Sequence, residues 1–123
     1  MSVLGSGAFE GCSSLVSIKI PGTVYYVRES TFSGCQQLKD VEIGDGIISI
    51  DKNAFANCTL LESIKIPSSV KSIDKFAFYG CDQLKIITFS GTKSKWELLT
   101  NTLPIVDVSH TIYCADGQIN IPH

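Results

Sequence analysis

A chain of 123 residues has the length of one domain, and a 44% hydrophobic content supplies apolar side chains for a continuous core, which excludes disorder. Ten basic and twelve acidic residues leave a net charge of −2 with no basic block, which argues against a nucleic-acid partner. No apolar run reaches the roughly 18 residues of a membrane span, and Met1 to Gly7 lacks the basic and apolar regions of a signal peptide.

The first landmark is Ala8-Phe9, followed by Gly11-Cys12. It predicts a single helical or 3₁₀ turn, because glycine favours the left-handed conformation that ends such a turn. Residues 15–20 come next, with Leu15, Ile18 and Ile20 apolar and Lys19 between the last two. That period of two predicts a short strand with one buried face. Pro21 has no amide hydrogen for a ladder and ends the strand. A second short extended segment is predicted over residues 24–27, and then a polar bend leads to Thr31-Phe32, where the order begins again.

Every landmark returns after 23 residues: Cys12, Cys35, Cys58 and Cys81; Phe9, Phe32, Phe55 and Phe78; Leu15, Leu38, Leu61 and Leu84. Ile20, Ile43, Ile66 and Phe89 share the interval, as do the second extended segments at 47–50 and 70–73. Gly34, Asn57 and Gly80 repeat the position of Gly11, whereas Gly44 stands where Pro21 and Pro67 do. Self-similarity of roughly 20–29 residues marks a unit that cannot bury its apolar face alone and must stack. The predicted fold is a mainly β, right-handed solenoid: about four coils over residues 1–91, the first incomplete at its N-terminal side, with parallel strands in register. Each buried Leu, Ile or Phe then contributes roughly 1.5–3 kcal/mol. The outward column Lys19, Glu42, Lys65, Thr88 alternates in charge and supports that register.

A straight inward column of cysteines lacks the opposed side chains of a disulfide and the converging, closely spaced ligands of zinc. It predicts buried free thiols, with Cys114 outside the column and buried by its own strand.

The run Ala8-Phe9-Glu10-Gly11-Cys12 through Leu15, Ile18, Ile20, Pro21, Val24 and Val27 resembles the BspA-like leucine-rich repeats, and the resemblance extends from Ala8 to Phe89. Thr31-Phe32 replaces Ala-Phe, Asp51 and Asp74 stand where glycine is common, and no asparagine column follows the strand. The resemblance implies a surface-displayed or secreted bacterial or protozoal protein that binds host or matrix macromolecules, and it does not imply an enzyme.

From Gly91 the repeat dissolves, and residues 92–123 are expected to form a C-terminal cap. Ser94 and Glu97 have the spacing of a capping box, and Trp96, Leu99 and Leu103 fall on one face of a helix predicted over residues 94–101. Trp96 is expected to lie over the last core layer. A strand over 111–114 follows, in which Ile112 restores the interval counted from Phe89. Asp116-Gly117 predicts a hairpin, with residues 118–121 returning antiparallel. The segment is similar to the Gly-Thr-Lys-x-x-Trp ending of such repeats. At the other end, Met1 and Leu4 align with Val24 and Val27, so the chain starts halfway round a turn. The first strand then has an open side, which fits either a piece of a longer solenoid or an end-to-end homodimer.

Chemistry is sparse. His110 and His123 are expected to be solvated, and Asp51 and Asp74, with Arg28 at the equivalent place, are expected to cap turns. Two carboxylates are too few ligands for calcium, and no phosphate-binding glycine loop follows a strand. No catalytic, cofactor or metal residue is assigned. The candidate protein-binding patch is Tyr25, Tyr26 and Ile48, since tyrosine is enriched at interfaces. Ile86 and Phe76 are further apolar residues at normally polar places. Scattered apolar residues also occur without function, and the tyrosines equally suit a role covering the open end. The expected function is a non-catalytic, adhesion-type interaction module whose partner is a host or matrix protein, with no cofactor, no nucleic acid and no membrane insertion. The competing expectation is a structural spacer or stalk.

Overall fold

Alternation of apolar and polar residues makes the strands, and parallel pairing of equivalent residues orders them. The computed structural model describes residues 5, 7–101 and 104–122. Its strands are β1 (Ser17–Ile20), β2 (Tyr26–Val27), β3 (Asp40–Ile43), β4 (Ser49–Ile50), β5 (Ser63–Ile66), β6 (Ser72–Ile73), β7 (Ile86–Phe89), β8 (His110–Cys114) and β9 (Gly117–Ile121), with one α-helix, α1 (Lys93–Thr100). One sheet runs β1-β3-β5-β7-β8-β9 and the other β2-β4-β6. In the larger sheet Ser17 stands opposite Asp40, Asp40 opposite Ser63 and Ser63 opposite Ile86, all in parallel pairs.

Both kinds of strand are shorter than expected. The amides of Leu15, Leu38, Leu61 and Leu84 bond the carbonyls of Cys12, Cys35, Cys58 and Cys81. Each leucine therefore closes a turn, and the strand starts two residues later. Ahead of the second sheet the amides of Val24, Ile47 and Val70 bond the carbonyls of Pro21, Gly44 and Pro67, so a turn, 3₁₀ at Gly22–Val24, takes up the first part of each predicted segment. Only two residues then remain extended.

The Ala-Phe segments are hydrogen-bonded turns and do not become helical. Phe9, Phe32 and Phe55 donate their amides to Thr31, Ala54 and Ala77, each in the following turn, at 2.8 Å. An amide engaged across turns is not available to propagate a helix. The expected left-handed positions are present at Gly11, Gly34, Asn57 and Gly80, with φ of 72°, 75°, 58° and 79°.

The core is a set of aligned columns. Phe9, Phe32, Phe55 and Phe78 stack with centroids 5.4, 5.2 and 5.3 Å apart and planes within 6° of parallel. The five cysteines are free; Cys35, Cys58 and Cys81 are buried, while Cys12 and Cys114 are half-buried. Cys114 is therefore less enclosed than expected, since it ends β8 beside the hairpin turn.

Helix α1 begins one residue before the predicted start. Its N-cap is Thr92, whose side chain accepts the amide of Lys95, so Ser94 does not head a capping box. Thr92 takes that role because the chain turns there: Lys93 donates its amide to the Asp116 carboxylate and Ala115 donates its own to Gly91. Trp96 is buried against Phe89 with ring centroids 5.1 Å apart. Strand β8 pairs with β7 so that Ile112 stands opposite Ile87 and not Phe89. The two-residue offset preserves parity, so Ile112 still faces the core. In the hairpin Cys114 pairs with Gly117, which makes Ala115-Asp116 the turn and Gly117, at φ 134°, the first residue of β9. Met1, Leu4, Leu103 and His123, named above, lie outside the described residues.

Candidate interaction surface

Tyr25 and Ile48 occupy equivalent places one turn apart, and the structure joins them. The Ile48 amide donates to the Tyr25 carbonyl at 2.6 Å, and the Lys71 amide donates to the Ile48 carbonyl at 2.7 Å. Tyr25 has φ 68°, unusual for a side chain of its size, and it directly follows the 3₁₀ turn. Tyr25, Tyr26 and Ile48 are 51%, 40% and 37% exposed. Tyr26 stands outward in β2 opposite Ser49, and the Arg28 guanidinium lies 5.2 Å from its ring centre. Residues two apart in an extended segment share a face, so this cation–π pair was legible in Tyr26-Val27-Arg28 and was missed. The outcome is a short apolar column flanked by a cation.

A second surface is the outer face of β1, β3 and β5. Ser17, Lys19, Asp40, Glu42, Ser63 and Lys65 line a shallow groove of about 380 Å³. Lys19 Nζ lies 3.5 Å from Glu42 Oε2, and the Ser63 hydroxyl donates to the Asp40 carboxylate. Both ions of that pair are exposed, so the attraction is worth no more than about 1 kcal/mol. Ile86, 46% exposed, continues this face on β7. Phe76 is exposed as expected, and it meets Tyr79 edge to face with centroids 6.4 Å apart.

Other candidates resolve differently. His110 is buried, not solvated, and its Nδ1 donates to the Val108 carbonyl at 2.7 Å. It shares parity with inward Ile112 at the start of β8, which turns the ring inward. Asp74 caps as expected, accepting the Phe76 amide at 2.8 Å, but Asp51 accepts the Ser49 hydroxyl instead. Among the described residues no three His, Cys, Asp or Glu side chains converge as metal ligands, and no helix is long and apolar enough to cross a membrane. Burial first, and then the neighbouring Cys58, push the Cys35 thiol up to about 11. The neighbouring Cys81, and then burial, push Cys58 up as well. These thiols stay protonated near neutral pH, which is the wrong state for a nucleophile.

Residues 2–109 match the model of the BspA type leucine rich repeat region family in six copies. A leucine rich cell surface protein of Faecalibacterium prausnitzii A2-165 is similar in structure, with a TM-score of 0.68 and 34% identity over 80% of this chain and 32% of that one. The chain therefore spans about a third of that protein's length. A leucine rich repeat protein of T. pallidum has a TM-score of 0.48 and 25% identity over 68% of this chain and 50% of its own. A leucine-rich repeat protein of Bacteroides ovatus has a TM-score of 0.40 and 28% identity over 68% of this chain and 34% of its own. No curated protein matches this chain.

Proposed function

This chain belongs to the BspA type leucine-rich repeat family, and from that premise we propose that it is a non-catalytic, macromolecule-binding module of a cell-surface or secreted protein. Its architecture in this reading is a right-handed solenoid of 23-residue coils over residues 1–91, closed by a cap over residues 92–123. The parallel registers from Ser17 through Asp40 and Ser63 to Ile86 support the coil, and Trp96 seated on Phe89 supports the cap. The cell-surface location rests on the similar Faecalibacterium protein.

The observation that carries the binding role is the joined, exposed column of Tyr25 and Ile48, with Tyr26 and Arg28 beside it. Large amphipathic tyrosines presented on rigid backbone give contact area at little entropic cost. The partner in this reading is a host or matrix protein. The test replaces Tyr25, Tyr26 and Ile48 by serine together and measures binding to immobilised matrix proteins. All three are exposed, so the fold should survive, as read by circular dichroism. Loss of a binding signal present in the parent supports the proposal. Unchanged binding overturns the patch, and a parent that binds nothing favours the spacer reading. The open side of β1, which has β3 as its neighbour among the described residues, is proposed as an end-to-end contact between copies. A monomer in light scattering at high concentration overturns that contact.

A further inference from the structure

The fourth turn departs from its predecessors on the surface. Where the earlier turns place Gly7, Ser30 and Asn53, it places Phe76; where they place Glu10, Ser33 and Ala56, it places Tyr79. Phe76 is 43% and Tyr79 60% exposed, and the rings meet at 82°. Beside them a cleft of about 150 Å³ opens between this turn and residues 104–107. Phe76, Tyr79, Lys75, Asp82, Pro104 and Asp107 all line it. Two carboxylates against one ammonium leave the lining with a net charge of −1.

Aromatic faces are negative and draw cations, more strongly where water is partly excluded. The Lys75 ammonium already sits 5.1 Å from the Phe76 ring centre, so this ring does take a cation. Tyr79 is the more exposed ring and has no such cation of its own among the described contacts. We propose that this cleft is a second binding site, which takes a guanidinium from an arginine-bearing protein partner by stacking it on Tyr79 and pairing it with Asp82 and Asp107. Arginine suits the site better than lysine because a planar fork stacks on a ring and bonds a carboxylate together, whereas an ammonium is a compact, strongly hydrated charge. The site shares no residue with Tyr25, Tyr26 and Ile48, so it stands whether or not that patch binds.

The test titrates the whole chain with an end-capped Arg-Arg peptide and follows the ring protons of Phe76 and Tyr79 by NMR. Matched Lys-Lys and Glu-Glu peptides are the controls. The expected result is saturable shifts at Tyr79 with arginine, weaker shifts with lysine and none with glutamate. Tyr79→Ser and the Asp82→Asn/Asp107→Asn pair should each weaken arginine binding by about two- to five-fold. Lys75→Ser should tighten it by removing the one positive charge in the lining. No shift at Tyr79, equal shifts with the glutamate peptide, or full affinity in Tyr79→Ser would each overturn the proposal.

Discussion

The thiol of Cys58 donates to the main-chain carbonyl of Phe32 at 3.2 Å, and the amide of Cys35 reaches that same oxygen at 3.2 Å. One carbonyl thus ties a turn both to its own end and to the turn after it. Cys35 repeats the bond to Phe9 at 3.2 Å and Cys81 to Phe55 at 3.0 Å. A thiol at this position is a small apolar filler and a donor at once. Cys58→Ala removes both contributions, so it should destabilise the fold by about 1–3 kcal/mol in urea unfolding. In the native protein iodoacetamide should modify Cys12 and Cys114, which are half-buried, and spare Cys35, Cys58 and Cys81. Mass spectrometry of peptides locates the label, and rapid modification of Cys58 in the folded chain would contradict the packing.

The same burial sets a pH dependence. Cys35 has an ordinary value of 9.0 and is raised to about 11 in the fold, so the unfolded chain gives up its proton first. Between these values the unfolded state binds fewer protons, and stability falls as pH rises. The contribution is complete below about pH 9 and lost through about pH 11, with Cys58 acting in the same direction. The urea midpoint should therefore stay level up to about pH 8.5 and then decline. A Cys35→Ala/Cys58→Ala chain, less stable at neutral pH, should decline less steeply over that interval.

Gly22 is a position where any side chain collides with a neighbouring turn. A Cβ there would lie 1.7 Å from the Asp45 carbonyl oxygen, which is backbone and has no rotamer to yield. Gly22→Ala should cost more than about 3 kcal/mol or abolish folding. Gly5 is the control, because nothing lies within 4 Å of a Cβ built there. Gly5→Ala should change the urea midpoint little.

Much of this was legible because the same side chains recur at a constant interval. Phe9, Phe32, Phe55 and Phe78 announced a column, and Gly11, Gly34, Asn57 and Gly80 announced the left-handed positions, since both depend on residue type alone. What escaped reading depends on partners distant in sequence. Thr92 and Ser94 are equally good caps in isolation, and the choice falls to Thr92 because Asp116 fixes the chain at Lys93. The offset that sets Ile112 opposite Ile87 is hidden by the length of the inserted helical segment. His110 could have been read from its parity with Ile112. Of the candidate patch, the side chains were legible, but not the positive φ of Tyr25. The ring pair of Phe76 and Tyr79 was half seen, because its three-residue spacing implies contact only in a turn.

Trp96 offers the sharpest test of how the C-terminal segment is held. Its ring lies on Phe89 at 5.1 Å and is 4% exposed, while Leu98 on the same helix is 83% exposed. The helix is further tethered by Lys95, whose Nζ donates to the Ser68 carbonyl at 2.6 Å. Hydrogen bonds of that exposed kind are worth little beside a buried indole, so the aromatic contact should dominate. Trp96→Ala should cost about 3–5 kcal/mol, a large share of the 5–15 kcal/mol typical of a domain. Trp96→Phe, which keeps a ring against Phe89, should lose less than half of that. Leu98→Ala should be silent within about 0.5 kcal/mol. If Trp96→Ala unfolds at the parent's urea midpoint, the helix is a surface appendage and Phe89 needs no cover.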